Sequence, residues 1–195
     1  VTVSLFGEDL AGNTQYSSGL ISFTIDNEYP SLTISSTAEN TVISNLSSTT
    51  IVFILNEVSN DFDISDIQLE PSSTESDISI SSLSTSDSIV YFADYIPPSN
   101  YAGTVTISVG AGVFSDLVGH SNINGDSIIL QVDTISPEIT ISTDDQLVSG
   151  VETSTITFEL SEDLSSLSVT DVTIIGGGEL IDLNYIGNLT YQAKF

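Results

Sequence analysis

The sequence contains almost no positive charge. One of its 195 residues is a lysine or arginine, Lys194, whereas 27 are aspartate or glutamate, so the formal net charge is −26. Nucleic acids and anionic membrane surfaces are therefore excluded as partners, because nothing in the chain could neutralise their phosphates. The chain is nevertheless unlike a disordered acidic tail, since 39% of its residues are hydrophobic and can bury a core.

Cysteine is absent and histidine occurs once, as His120. The lack of cysteine excludes disulfides, thiol catalysis and Cys-ligated metal sites, and a single histidine excludes a multi-histidine zinc cluster. Serine is abundant, but no second histidine or cysteine is present to build a nucleophile–base pair. The glycine triplet at 176–178 lacks the spacing of a nucleotide-binding loop and is interpreted as a turn. We therefore predict that the protein is not an enzyme.

Long apolar runs are also missing. No segment approaches the roughly 20 apolar residues of a membrane-spanning helix, which argues against direct insertion into a membrane. The chain begins with Val1, in a strand-like segment without the pattern of a signal peptide. We expect it to be a window from a longer protein.

An internal repeat of about 107 residues runs through the sequence. Residues 22–35 (SFTIDNEYPSLTIS) resemble residues 129–142 (ILQVDTISPEITIS), which aligns Asp26 with Asp133. Three further pairs of segments agree in order and similar offset: 1–13 with 105–120, 49–58 with 154–163, and 62–69 with 167–174. This agreement between separate segments indicates tandem domains.

The pattern of every repeated segment predicts β-strands. Apolar and polar residues alternate over four to eight positions with many β-branched residues, and glycine, proline and asparagine separate the segments. We predict an all-β fold of tandem immunoglobulin-like antiparallel β-sandwiches joined end to end. Tyr101 is interpreted either as the anchor of a tyrosine corner or as an ordinary aromatic residue at the rim. Seven strands, A to G, are predicted in the complete unit, near residues 31–35, 49–56, 64–69, 77–81, 88–95, 104–109 and 127–133.

The repeat sets the predicted domain boundaries. Residues 1–26 correspond to the C-terminal strands, F and G, of a preceding repeat. Residues 27–133 form a complete repeat, and residues 134–195 correspond to strands A to E of a following repeat. A window cut out of phase with a longer array explains this arrangement. The alternative is a filament whose subunits complete one another by strand exchange.

Acidic residues converge at one pole of the predicted sandwich. Because the strands alternate in direction, the start of strand A, the B–C loop and the F–G loop lie at the same end. This pole collects Asp26, Glu28, Glu57 and Asp116, together with Asp61 and Asp63 in the B–C loop. The following repeat offers Asp133, Glu162 and Asp163 at its own entry, and the preceding repeat offers Asp9 with Asn13.

Such carboxylates repel one another, and a hard cation relieves the repulsion. Ca²⁺ takes six to eight oxygen ligands, so we predict Ca²⁺ at these joints, where it would also stiffen the connection between domains. The alternative is that the acids form turns, as in DLAGN at 9–13, or are merely solvated. The DFDIS segment at 61–65 lacks the glycine and the closing glutamate of an EF-hand loop. His120, aligned with Asn13, is predicted to serve a turn.

Several of these segments together resemble the bacterial Ig-like repeats of giant secreted surface adhesins, which are exported by the type I route of RTX proteins. The segments are the Asp…Pro linker, SED at 161–163, FDISDI at 62–67 and DLAGN at 9–13. The resemblance covers the whole chain and implies long extracellular arrays at the cell surface, rigidified by Ca²⁺ and without catalysis. In two departures, DNEYP at 26–30 replaces the commoner Asp-Thr-x-x-Pro and NEV at 56–58 replaces SED.

The leading hypothesis for function is a non-catalytic extracellular spacer in a large cell-surface adhesin or surface filament. Its partners would be the adjacent repeats of the same chain, and other domains would bind host, surface or glycan targets. A second hypothesis is a Ca²⁺-dependent carbohydrate- or protein-binding module, although the absence of tryptophan removes the usual aromatic platform for sugars. A third is an accessory domain of a secreted enzyme.

Overall fold

The computed structural model describes residues 1–5, 7–14, 19–38, 42–44, 48–71, 78–81, 83–150, 152–164 and 166–195. The chain divides into two compact units, Val1–Thr134 and Ile135–Phe195. In the described part of the chain, the helical segments are two single turns of 3-10 helix, Ile64–Asp66 and Val169–Asp171. None of the described residues belongs to a helix that is long and apolar enough to span a bilayer. The prediction of an all-β fold is confirmed.

The first unit contains a hairpin and a complete sandwich. The N-terminal hairpin pairs β1 (Thr2–Leu5) with β2 (Gly19–Ser22). The complete sandwich, residues 27–134, consists of β3 (Leu32–Ser36), β4 (Val42–Ser44), β5 (Thr49–Leu55), β6 (Ile67–Pro71), β7 (Ser79–Ile80), β8 (Ser84–Thr85), β9 (Val90–Ile96), β10 (Ala102–Val109) and β11 (Asp126–Asp133). One of its sheets has the order β3-β5-β9-β7, with β8 beside β9, and the other has the order β4-β11-β10-β6.

Alternating side chains build the core between these two sheets. Along β5, Ile51, Phe53 and Leu55 are buried. They belong to the same apolar cluster as Val105 and Ile107 of β10, in the opposite sheet. Because successive side chains of a strand point to opposite faces, the alternation seen in the sequence assigns the buried face of each strand.

The seven predicted strands of the complete unit are present as β3, β5, β6, β7, β9, β10 and β11. Residue 77, at the start of predicted strand D, lies outside the described residues. Strand C starts at Ile67 because Asp63 caps the preceding 3-10 turn. β4 was not predicted: its three residues pair in parallel with β11, and such a short segment carries no periodic signal. The sheet orders are those of an immunoglobulin-like sandwich.

Tyr101 is buried immediately before β10. Its hydroxyl donates a hydrogen bond to the carbonyl oxygen of Thr104, 2.8 Å away and three residues downstream. A tyrosine corner bonds to the backbone upstream of the tyrosine. The residue therefore anchors the start of β10 without forming that motif.

The N-terminal hairpin repeats the pairing of β10 with β11. Thr2 lies opposite Ser22 and Leu5 lies opposite Gly19. At the aligned positions, Thr106 lies opposite Ile129 and Val109 lies opposite Asp126. The hairpin thus has the register of strands F and G.

The second unit repeats one sheet of the complete sandwich. Phe158, Leu180 and Ala193 form its small buried core. The segment at 172–175 aligns with β6 but forms no strand. Its strands are β12 (Ile139–Thr143), β13 (Thr155–Leu160), β14 (Ile181–Gly187) and β15 (Thr190–Lys194), in the sheet order β12-β13-β15-β14.

A backbone clamp at the end of the second strand is conserved between the two units. Asn56 Oδ1 accepts a hydrogen bond from the N–H of Ser31 (2.7 Å), and the N–H of Asn56 donates to the Ser31 carbonyl. Ser161 Oγ accepts from the N–H of Glu138 (2.8 Å), and the N–H of Ser161 donates to the Glu138 carbonyl. Asparagine and serine thus perform the same task at the repeat position where the sequences differ.

Acid should destabilise the second unit through Asp144. Its carboxylate accepts hydrogen bonds from the N–H of Thr155 (2.7 Å) and from Ser154 Oγ (2.8 Å). These bonds, helped by Lys194, lower the pKa of Asp144 to about 2. Since this pKa lies below that of the unfolded chain, the stabilisation is complete above about pH 4 and is lost as the pH falls toward 2.

Urea unfolding between pH 2 and 5, followed by the NMR signals of Tyr185 and Tyr191, measures this loss. Asp144→Asn should flatten the pH profile of the second unit, whereas Glu159→Gln, which changes an exposed carboxylate on β13, should not. Identical profiles for the two variants would assign the acid sensitivity to other groups.

Candidate cation site

The loop between β10 and β11 is organised by the buried carboxylate of Asp116. Its Oδ1 accepts hydrogen bonds from the N–H groups of Val118, Gly119 and His120, at 2.8, 2.6 and 2.8 Å. Burial acts to raise the pKa of Asp116, but these N–H groups hold the pKa below its ordinary value. The carboxylate is therefore charged at neutral pH in a part of the molecule that water hardly reaches.

The N-terminal hairpin contains the same loop. Asp9 Oδ1 accepts from the N–H groups of Ala11 and Asn13, both at 2.9 Å, and Asp9 Oδ2 accepts from Asn13 Nδ2 at 2.8 Å. Gly12, at φ 85°, is the counterpart of Gly119, at φ 94°. The carboxylate of Asp9 is thus engaged within its own loop, as the turn interpretation of DLAGN predicted.

His120 occupies the position of Asn13 and serves the turn, as predicted, but it also reaches the linker. Its Nδ1 lies 3.0 Å from Asp116 Oδ2 and 2.8 Å from the carbonyl oxygen of Glu28. Its ring packs against Tyr29, with the centroids 5.0 Å apart. The imidazole therefore connects the F–G loop to the linker that enters the sandwich. The replacement of asparagine by histidine at this repeat position is the single sequence feature that hints at this contact.

The linker and the F–G loop place three potential ligand groups together. One ligand atom from each of Asp26, Asp116 and His120 lies within 4.8 Å of the others. Asp26 is exposed, and its Oδ1 accepts from the N–H of Glu28 at 3.1 Å. The predicted meeting of Asp26 and Asp116 at the entry of the sandwich is therefore present in the structure. Whether a cation binds there stays a prediction.

Glu57 lies outside this three-residue group but near enough for its charges to act on the Glu57 carboxylate. We call Asp26, Glu57, Asp116 and His120 the acidic cluster. Burial raises the pKa of Glu57, and the charges of Asp26, Asp116 and Glu28 raise it further, whereas His120 lowers it. Glu57 Oε1 is buried and has no hydrogen-bond partner among the described residues. A buried carboxylate oxygen without a donor is costly, so this oxygen marks the place where a positive charge would be accepted.

Two other acids at this pole accept hydrogen bonds that hold the loops in place. Asp61 Oδ1 accepts from the N–H of Ser115 at 2.8 Å and from the hydroxyl of Ser59 at 2.9 Å, which joins the B–C loop to the F–G loop. Asp63 Oδ1 accepts from the N–H of Ser65 at 2.7 Å and caps the 3-10 turn. Both carboxylates have lowered pKa values, although burial acts to raise that of Asp61.

The remaining predicted ligands lie elsewhere. Asp133 is the exposed last residue of β11, opposite Ala102 of β10. In the second unit, Asp163 is exposed and Glu162 is partly buried. Glu162 Oε1, like Glu57 Oε1, is buried and has no hydrogen-bond partner among the described residues.

The donor set of the acidic cluster fits a hard divalent cation. Asp26 and Asp116 offer carboxylate oxygens that lie close together. Glu57 adds a third carboxylate whose charge interacts with both, and its buried Oε1 has no hydrogen-bond partner among the described residues. Oxygen ligands of this kind suit Ca²⁺, whereas imidazole does not. His120 is already bonded to Asp116 and to the linker, so its place in such a site is to position them.

The comparison with protein families agrees with the fold. A model of the bacterial Ig-like domain matches residues 26–132 and matches again at residues 133–195. No curated protein and no solved structure matches the chain.

Proposed function

Because the chain belongs to the bacterial Ig-like domain family, we propose that it is a stiff, Ca²⁺-rigidified spacer in a large extracellular adhesin or surface filament. Two tandem matches to one structural family support a repeat module. Nothing in the described residues points to catalysis, and family members of this type are structural. The adhesive target would be bound by other domains, and the partners of this segment would be its neighbouring repeats.

The observation that carries the proposal is the orphaned carboxylate oxygen of Glu57 among negative neighbours. A cation held by Glu57, Asp26 and Asp116 would tie the linker to the end of β5 and to the F–G loop. The first unit contains no lysine or arginine, since the single lysine of the chain, Lys194, belongs to the second unit. A bound cation would therefore replace the missing positive side chain and restrict the angle at which the linker enters the sandwich.

Calcium should raise the melting temperature of the first unit. A cation that binds the folded state at a concentration a hundredfold above its dissociation constant adds about 2.7 kcal/mol, which corresponds to roughly 10 °C for a domain of this size. Calorimetric melting in excess chelator and in excess Ca²⁺ measures the shift. We expect Glu57→Gln to remove most of it.

The control is Glu70→Gln, which neutralises an exposed carboxylate on β6 of the same sandwich and should leave the shift intact. In chelator, Glu57→Gln should melt at the temperature of the wild type or higher, because the substitution removes charge repulsion. A merely structural role for Glu57 would lower the melting temperature under both conditions. The absence of any Ca²⁺ shift in the wild type would refute the proposed site.

The extracellular location has an independent test. Antibodies raised against residues 27–134 should label intact cells of the source organism, and brief protease treatment of those cells should abolish the labelling. Labelling that requires permeabilised cells would contradict a surface spacer and would leave the calcium result unaffected.

A further inference from the structure

The complete sandwich carries apolar side chains on the outward face of its sheet β3-β5-β9-β7. Val52 and Ile54 of β5 lie opposite Phe92 and Val90 of β9, and the residues between them face the core. Ile54 and Phe92 are 45% and 44% exposed, and Val52 and Val90 are partly buried. We call these four residues the outer patch. Single exposed apolar residues are ordinary, but four adjacent ones on one sheet face indicate a surface that binds something.

The second unit builds the same strand pair without this patch. β13 and β15 repeat the register of β5 and β9, and at the four equivalent positions Thr157 lies opposite Gln192 and Glu159 lies opposite Thr190. The inward-facing pairs, in contrast, have the same residue types in both units: Phe53 and Tyr91 with Phe158 and Tyr191, and Ile51 and Ala93 with Ile156 and Ala193. The fold therefore needs the inward residues but does not need apolar residues at the outer patch.

A carboxylate lies at one end of the outer patch. Asp94 is exposed and follows Phe92 on the same face of β9. Its Oδ1 accepts a hydrogen bond from Thr50 Oγ1 at 2.8 Å, and its Oδ2 has no hydrogen-bond partner among the described residues. The second unit has Lys194 at this position, so the negative charge is particular to the first unit. A depression of about 460 Å³ opens here, lined by Thr50, Ser81, Ser84, Phe92, Ala93 and Asp94.

The charge around the outer patch selects a cationic occupant. The first unit contains no lysine or arginine. At the start of β9, Asp87 Oδ1 accepts from the N–H groups of Val90 (2.8 Å) and Ile89 (3.0 Å), and these bonds hold the pKa of Asp87 below its ordinary value. Two copies of such a surface repel each other, whereas a positively charged side chain is attracted to it.

The aliphatic part of the outer patch argues against a neutral sugar as the occupant. Sugar hydroxyls that lose their water need hydrogen-bond partners, and the side chains of Val52, Ile54 and Val90 offer none. Apolar side chains of a partner would cover this part without such a cost. The occupant is therefore expected to be both cationic and apolar.

We propose that the outer patch binds a segment of another protein in which an arginine lies between apolar side chains. The guanidinium would stack on Phe92 and donate to Asp94 Oδ2, while its apolar neighbours cover Val52 and Ile54. Arginine suits this place better than lysine, because its planar group stacks on an aromatic ring and donates to a carboxylate in its own plane. The inference goes beyond the spacer role and uses none of the residues of the acidic cluster.

NMR titration of the backbone amide signals of the whole chain tests the proposal. The probe is the blocked tripeptide acetyl-Ile-Arg-Ile-amide, added in excess chelator so that the calcium site plays no part. We expect shifts concentrated on β5 and β9 that weaken as salt is added. The absence of shifts on these strands at millimolar peptide would overturn the proposal.

Two matched probes identify the chemistry that is recognised. The same tripeptide with citrulline in place of arginine keeps the shape and loses the charge, so it should bind much more weakly. Maltotriose, a neutral sugar, should leave the signals of β5 and β9 unchanged. Equal binding of the citrulline peptide, or tighter binding of maltotriose than of the arginine peptide, would contradict a cationic protein segment as the occupant.

Variants of the chain locate the binding surface. Asp94→Asn should weaken binding of the arginine peptide roughly tenfold, and Phe92→Gln should weaken it several-fold. The second unit carries Gln192 at the position of Phe92, so glutamine is compatible with the sheet. The controls are Ile129→Gln, at a 55% exposed position of β11 in the other sheet, and Glu70→Gln on β6.

Both controls should bind the peptide like the wild type, and all four variants should keep the calcium-dependent shift in melting temperature. Unchanged peptide affinity in both Asp94→Asn and Phe92→Gln would overturn the proposal. Equal weakening in the controls would also overturn it, because the peptide would then respond to the net charge of the chain and not to the outer patch.

Discussion

Replacing Phe62 by alanine should lower the free energy of unfolding of the complete sandwich by about 3–5 kcal/mol. Phe62 is 5% exposed and lies at the centre of an aromatic cluster. Its ring centroid is 5.8 Å from that of Phe53, 5.0 Å from that of Tyr91 and 5.2 Å from that of Phe114. Alanine would leave a cavity and remove three aromatic contacts at once.

This loss is a large fraction of the 5–15 kcal/mol that typically holds a domain together. Urea unfolding monitored by near-UV circular dichroism measures it. The control is Phe92→Ala, which deletes the same side chain from an outward-facing position of β9 that is 44% exposed; it should cost about 1 kcal/mol or less. Similar losses for both variants would mean that the cluster around Phe62 is not the centre of the core.

Replacing Asn122 by alanine should cost about 3 kcal/mol, because one side chain satisfies four backbone groups. Asn122 is 1% exposed. Its Oδ1 accepts from the N–H groups of Val113 (2.8 Å) and Phe114 (3.2 Å), and its Nδ2 donates to the carbonyls of Gly110 (2.8 Å) and Asn124 (2.9 Å). Each buried backbone group left without a hydrogen-bond partner costs about 1–3 kcal/mol. Partial access of water to the four groups reduces their summed cost to the expected value.

The same denaturation experiment tests this residue against two controls. Asn124→Ala, at an exposed position of the same loop, should have a small effect. Asn122→Asp replaces the two donors by a charged oxygen that faces the carbonyls of Gly110 and Asn124, so at neutral pH it should cost at least as much as alanine. Since the loop also carries Asp116, Asn122→Ala should also weaken binding at the proposed calcium site. An unchanged unfolding free energy for Asn122→Ala would show that the loop does not depend on this side chain.

The sheet architecture could be predicted from the sequence because the strands have a periodic pattern of apolar residues and occur in both repeats. The alternation in Thr49–Leu55 predicts its buried face, and its counterpart at Thr155–Leu160 repeats the prediction. β4 could not be predicted, because its three residues form a strand by pairing with β11 and have no periodic pattern of their own. The segment at 172–175 resembles β6 in sequence but forms no strand, so a strand-like pattern does not by itself decide whether a strand forms.

The candidate site could be predicted in part from the sequence. The topology of a sandwich places the start of strand A, the B–C loop and the F–G loop at one end, which is why Asp26, Glu57 and Asp116 could be predicted to meet. The sequence could not show which carboxylates accept hydrogen bonds from nearby N–H groups and hydroxyls, as those of Asp9, Asp61, Asp63 and Asp116 do. The contact of His120 with the linker could not be predicted either, because it depends on the path of the chain between domains.

Titration calorimetry with Ca²⁺, on the wild-type chain and on Glu57→Gln, tests the central claim most directly. If the orphaned oxygen of Glu57 belongs to a cation site with Asp26 and Asp116, the wild type should bind one more Ca²⁺ per chain than the variant. The Glu70→Gln chain should bind as many as the wild type. Equal stoichiometry and affinity in wild type and Glu57→Gln would contradict the account.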